Sequence, residues 1–214
     1  MTRKEPNDTQ RMNMVYFKKK HAFGEASALY GYSFQNDNGA VPQLSEARNY
    51  LEHWPEMQRN NIGLMFWGPS GNGKTFAAAC IANALCGQMK DVRMLTLDAM
   101  LNKLPGLPLQ DREEYLGGLQ RCDLLIVDDF GMERQTDYAQ EQVYALINGR
   151  YLARKPMIVT TNLSLNDLKS PETITEQRIY DRVLEMCVPV CFNGDSLRKE
   201  KGREKLKFYK ELTR

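Results

Sequence analysis

Gly68-Pro69-Ser70-Gly71-Asn72-Gly73-Lys74-Thr75 fits the pattern G-x-x-x-x-G-K-[ST], a phosphate-binding P-loop. The chemistry needs these residue types at this spacing. Gly68 and Gly73 bracket a loop that must bend back on itself and leave its backbone N–H groups bare for an anion. Lys74 adds a point charge for the outer phosphates, and the Thr75 hydroxyl suits Mg²⁺. The flanks agree. Residues 62–67 are a short apolar run, as a buried parallel strand should be. Residues 76–85, opening with Phe76, are rich in alanine and read as a helix, whose N-terminus adds anion attraction. The predicted nucleotide contacts therefore run without a gap through Phe76. Two glycines, a lysine and a Ser or Thr so spaced arise by chance at on the order of one in ten thousand positions.

Further along, Cys122-Asp123-Leu124-Leu125-Ile126-Val127-Asp128-Asp129 has four apolar residues ending in two carboxylates, the Walker B form. A buried strand carries Asp128 to its C-terminal edge, where it can hold Mg²⁺ through water. Asp129 beside it can orient or deprotonate an attacking water. For an isolated match, a strand followed by an acidic turn is the ordinary alternative. Pro156 opens another predicted strand, residues 157–162. Its polar end falls where an open α/β sheet binds ligand. Asn162 could there bridge the γ-phosphate and the attacking water, or could belong to an ordinary turn.

The remaining elements are read more coarsely. Residues 44–57 read as one helix with Ser45 as its N-cap and Pro55 near its end. Residues 92–97 read as a strand, 98–120 as helical patches broken by Pro105-Gly106-Leu107-Pro108, and 137–152 as a long amphipathic helix. Residues 175–184 are helix-like, with Arg178 and Arg182 four apart on one face. Residues 187–192 look like a strand, at a sheet edge because of Pro189. Residues 197–214 are basic, either a solvated terminal helix or a docking element.

Residues 1–39 are poorly periodic. Lys18-Lys19-Lys20 is a basic knot, either a phosphate contact or a solvated tail. The aromatic-rich stretch 30–39 reads as an ordered lead-in, because aromatics seldom stay solvated when a core is near. The expected division is an N-terminal extension at 1–43, partly flexible, and an ATPase domain at 44–214. The net charge of +2 on 214 residues announces no global field for nucleic acid, so any such surface must be local. Five cysteines, odd in number and without C-x-x-C, point to reduced thiols in a cytosol. No apolar h-region and no stretch of about 18 apolar residues is visible, so neither export nor a membrane span is expected and the location reads as cytoplasmic.

With these residues in hand, the chain resembles the AAA+ ATPases of the DnaC/DnaI helicase-loader and IstB type. The resemblance rests on residues 63–75, 123–131 and 148–163, on Arg178-Ile179-Tyr180-Asp181-Arg182-Val183, and on Gly194-Asp195-Ser196-Leu197-Arg198. It implies an α/β P-loop NTPase with an open parallel five-stranded sheet of order 5-1-4-3-2 between helices and no large C-terminal lid domain. Asn162 matches the sensor 1 position. Arg178 and Arg182 lie in the box that carries the arginine finger, with Arg178 preferred and Arg182 packing against Asp181 or Glu185. Arg198 matches the sensor 2 region. A finger works in trans, which implies a ring or spiral of subunits. ATP and Mg²⁺ are the implied cofactors. A DnaB-type replicative helicase and single-stranded DNA are the implied partners. Asp128-Asp129 replaces the Asp-Glu of many AAA+ proteins, as in the loader family, and suggests slow intrinsic hydrolysis. A transposition helper of the IstB kind has the same core. A small-molecule P-loop kinase is the third reading, against which the Asp-Asp pair and Thr160-Thr161-Asn162 stand, since they suit water activation better.

Overall fold

Five short apolar runs pair into one parallel sheet in the computed structural model, which describes residues 6–24, 26–134, 136–194 and 196–213. The strands are β1 (Gly63–Trp67), β2 (Val92–Thr96), β3 (Leu124–Phe130), β4 (Met157–Thr161) and β5 (Cys187–Cys191). Their spatial order, β2-β3-β4-β1-β5, is the expected 5-1-4-3-2 read from the other edge. Around the sheet lie α1 (Asp8–Phe23), α2 (Leu44–Glu52), α3 (Trp54–Arg59), α4 (Lys74–Gly87), α5 (Leu97–Lys103), α6 (Leu109–Arg121), α7 (Asp137–Ala153), α8 (Leu165–Leu168), α9 (Ile174–Met186) and α10 (Leu197–Leu212).

Strand side chains alternate between faces, so the three central strands feed two cores. Leu64, Phe66, Leu124, Ile126 and Ile158 pack on one face with residues of α2 and α4. Met65, Leu125, Val127, Met157 and Val159 pack on the other with residues of α5, α7 and α9. The register Ile126↔Ile158↔Leu64 keeps the first set in line. Helix α4 buries Ala77, Ala78, Ala79 and Ala82, side chains small enough for its axis to sit close to the sheet.

Several local readings change. Residues 44–57 form two helices, because Pro55 sits in the first turn of α3, where its missing N–H costs no bond. Ser45 does not cap α2; its hydroxyl donates to the Pro42 carbonyl at 2.9 Å. Strand β2 stops at Thr96, whose hydroxyl accepts the Ala99 N–H and caps α5. The unperiodic N-terminal stretch contains α1, started by a capping box between Asn7 and Gln10. Only its end, Ala22 and Phe23, is buried, so it shows no apolar stripe. Those two residues and Val41 join the core that holds α4.

One buried cation escaped the sequence reading. Arg150 of α7 is fully buried. Its guanidinium donates to the carbonyls of Leu119 (3.3 Å), Gln120 (3.1 Å), Cys122 (2.6 Å) and Pro156. The first two are carbonyls at the end of α6, which lack helical partners. Arg150 therefore closes α6 and fixes where β3 and β4 begin.

Candidate active site

Strand β1 runs into the P-loop, where Gly68, Gly71 and Gly73 take φ of 134°, 91° and 91°. This is the left-handed region that side chains rarely adopt. At Gly73 a Cβ would also press on Val41. The loop then enters α4 at Lys74. Lys74 Nζ donates to the carbonyls of Gly68 (2.6 Å) and Pro69 (2.7 Å) and to Asn162 Oδ1 (2.9 Å). Two segments 88 residues apart thus meet at one ammonium.

Strand parity brings the remaining groups in. The alternation that buries Leu124 and Ile126 under α4 places Asp128 on the same face, beneath Thr75. Thr75 Oγ1 donates to Asp128 Oδ1 at 2.9 Å, and Thr160 Oγ1 donates to the same oxygen at 2.6 Å. Burial pushes the Asp128 carboxyl upward from its usual range; the two hydroxyls pull it back, and the neighbouring Asp129 charge pushes again. By parity Asp129 belongs to the opposite face. It does not go there. Its φ is +54°, the β3–β4 register slips between Val127 and Phe130, and Asp129 lines the cleft above the P-loop. The Asp129 backbone N–H donates to Thr160 Oγ1 at 3.0 Å.

That cleft holds about 800 Å³, in the size range of small-ligand sites. Ser70, Gly71, Lys74 and Thr75 of the P-loop line it with Asp129 and Asn162; Tyr32, Val41 and Phe76, and the polar Asn36, Asp37 and Asn38, also line it. A phosphate cradle with a cation and a hydroxyl, Asp128 under that hydroxyl, Asp129 in the lining and the Tyr32 and Phe76 rings in the same cleft fit a nucleoside triphosphate with its metal. The aromatic lead-in is therefore a wall of the cleft. Tyr32 packs edge-on to Phe76 with ring centres 5.2 Å apart. Its aromatic content signalled order, and nothing in it signalled ligand contact.

Asn72 turns its side chain to the chain following β5. Its Nδ2 donates to the carbonyls of Phe192 (3.2 Å) and Gly194 (2.6 Å) and clasps the P-loop to the junction before α10.

The late arginines separate. Arg178 is exposed on α9 and does not line the cleft. Arg182 lies over the rings of Tyr144 (5.0 Å) and Tyr151 (5.5 Å) and donates to Tyr144 Oη and the Arg178 carbonyl. Its packing is against aromatics rather than Asp181 or Glu185. The Arg198 side chain lies outside the described residues. Among other basic residues, Lys103 sits over the Tyr115 ring at 4.2 Å and Arg93 pairs with Asp91 at 3.4 Å. Arg112 is turned to the Leu107 and Pro105 carbonyls. Lys19 donates to the Tyr30 carbonyl. Cys80 and Cys187 are pushed to about 12, and Cys86 and Cys122 to about 11, by burial, so all four stay protonated thiols.

The profile of the IstB-like ATP binding protein family matches residues 1–205. This chain belongs to that family. The IstB-like chain is 27% identical over 164 residues to the replicative helicase loader DnaC of Escherichia coli K12, covering 75% of this chain and 64% of the loader. It is 30% identical over 141 residues to a putative ATP-binding protein in an insertion sequence of Mycobacterium tuberculosis, covering 63% of this chain and 55% of that one. The chain thus spans somewhat under two thirds of the length of these relatives. A crystal structure of DnaI superposes with a TM-score of 0.67 at 20% identity, covering 82% of this chain and 95% of that one, which establishes the fold. Among the described residues, no helix is long and apolar enough to cross a membrane.

Proposed function

We propose that this IstB-like chain is an ATPase that loads a DnaB-type replicative helicase onto single-stranded DNA, with nucleotide controlling its assembly and its grip. The observation that carries the reading is the joining of Lys74 to Asn162 and of Thr75 to Asp128 in one cleft, in a chain whose relatives include helicase loaders. Backbone N–H groups of the P-loop and Lys74 bind the phosphates. Thr75 and Asp128 hold Mg²⁺, which neutralises charge on the outer phosphates when bound. Asp129, turned into the cleft, orients the attacking water and takes its proton. Asn162 fixes the position of the γ-phosphate. Arg178, exposed on α9, serves a neighbouring subunit's nucleotide, a role that needs no place in its own cleft.

The second reading is a transposition helper acting on duplex DNA, favoured by the insertion-sequence relative at 30% identity. Light scattering with and without a non-hydrolysable ATP analogue, each with single-stranded or duplex oligonucleotide, separates the two. Assembly that needs nucleotide and single strands supports the loader. A clear preference for duplex supports the helper and overturns the loader.

A further inference from the structure

Strand β4 ends in Thr160 and Thr161, and Asn162 follows directly; the three do not all point the same way. Thr160 and Asn162 share the α4 face, two residues apart, while Thr161 faces away and donates to the Phe130 carbonyl at 2.7 Å. Asn162 meets Lys74. Thr160 meets both aspartates at once: its proton goes to Asp128 Oδ1 at 2.6 Å, and its oxygen accepts the Asp129 N–H at 3.0 Å. A hydroxyl has one proton to give, so this pair of bonds settles its orientation.

The second bond matters because Asp129 is out of register. An L-residue at φ +54° inside a strand is held only if its surroundings over-determine it. A bulge of this kind re-aims a side chain next to a site. Without it, parity would turn the Asp129 carboxylate to the face of Val127 and Phe130, where α7 and α9 pack. Thr160 itself is fully buried, so no water competes for its hydroxyl.

We propose that Thr160 is a positioning residue of this site: one hydroxyl aims the Asp128 carboxylate at the metal position and locks the bulge that turns Asp129 into the cleft. This rests on the ATPase reading above. It also makes Asn162 and the two aspartates one mechanical unit. A shift of the β4 tip at Asn162 moves Thr160 with it, and therefore both carboxylates.

The test compares Thr160→Val, which keeps the shape and loses the hydroxyl, with Thr160→Ser, which keeps the hydroxyl. ATP hydrolysis is measured against Mg²⁺ concentration, and binding of a fluorescent ATP analogue is measured with Mg²⁺ and with EDTA. Thr160→Val is expected to lower kcat on the order of 10- to 100-fold and to raise the Mg²⁺ needed for half-maximal rate, with binding in EDTA unchanged. Thr160→Ser is expected to recover most of both. If Thr160→Val does not fold, Thr160→Ala takes its place. A hydroxyl-free variant with the wild-type rate and Mg²⁺ response overturns the proposal, as does Thr160→Ser behaving like Thr160→Val. A wild-type chain that binds the analogue and never turns over overturns the ATPase reading alone; the Mg²⁺ dependence of binding then decides the role of Thr160 by itself.

Discussion

Lys74 Nζ and Asn162 Oδ1 lie 2.9 Å apart, so the P-loop lysine and the tip of β4 form one contact. The two side chains have different duties, which mutation separates. Lys74→Ala is expected to lower hydrolysis on the order of 100-fold or more and to weaken nucleotide binding. Asn162→Ala is expected to lower kcat roughly tenfold or more, with affinity for a fluorescent ATP analogue little changed. Steady-state kinetics alongside a binding titration checks both. Equal loss of affinity in the two variants would contradict the division.

Arg178 and Lys74 give a complementation experiment. If Arg178 acts across a subunit boundary, Arg178→Ala has an intact cleft without a finger, and Lys74→Ala has a finger without a working cleft. Each alone is expected to be inactive. Mixed, they are expected to recover a fraction of wild-type hydrolysis, dependent on concentration. No recovery at any ratio would place the function of Arg178 elsewhere.

Much of this site could be read from residue order, and the failures have physical causes. P-loop, Walker B strand and Asn162 are local patterns whose chemistry depends on spacing along the chain. Sheet order came with the family resemblance, and the edge position of β5 from Pro189, which lacks a donor. Three features were not legible. The bulge at Asp129 leaves the composition of β3 looking like an ordinary strand, and only the β3–β4 register reveals it. Helix α1 buries one end only, so no periodic stripe marks it. Arg150 looks like any helix arginine, because its partners are carbonyls from two other segments and carbonyls carry no residue identity.

Glu133 offers a pH test. Burial raises its pKa above 4.5, the N–H of Gly131 and its own N–H pull it down, and Asp98 and Glu176 push it up again. The folded state therefore binds this proton more tightly than the unfolded chain. Stability from this group is present at low pH and is lost as pH rises through the raised value. Glu133→Gln is expected to raise Tm relative to wild type at about pH 8 and to make little difference near about pH 4. Thermal melts at both ends check the sign.

Removal of Arg150 exposes its structural role. Arg150→Met leaves the Leu119, Gln120, Cys122 and Pro156 carbonyls without this donor in a dry interior. The expected cost is roughly 3 kcal/mol or more, which for a domain of this size lowers Tm by roughly 10 °C. A variant that melts within a degree or two of wild type would mean that water or a shifted side chain satisfies those groups.

The clasp from Asn72 to Phe192 and Gly194 has a consequence for the energetics of ligand capture. A loop tied at its middle to carbonyls 120 and 122 residues away has lost its freedom when the domain folds. Phosphate then meets a cradle already shaped, and little ordering entropy is charged to the binding step. Chain beyond β5 is thereby part of the affinity for nucleotide. Asn72→Ala would release the loop and weaken capture, although the side chain removed holds the cradle from outside and reaches only the Phe192 and Gly194 carbonyls.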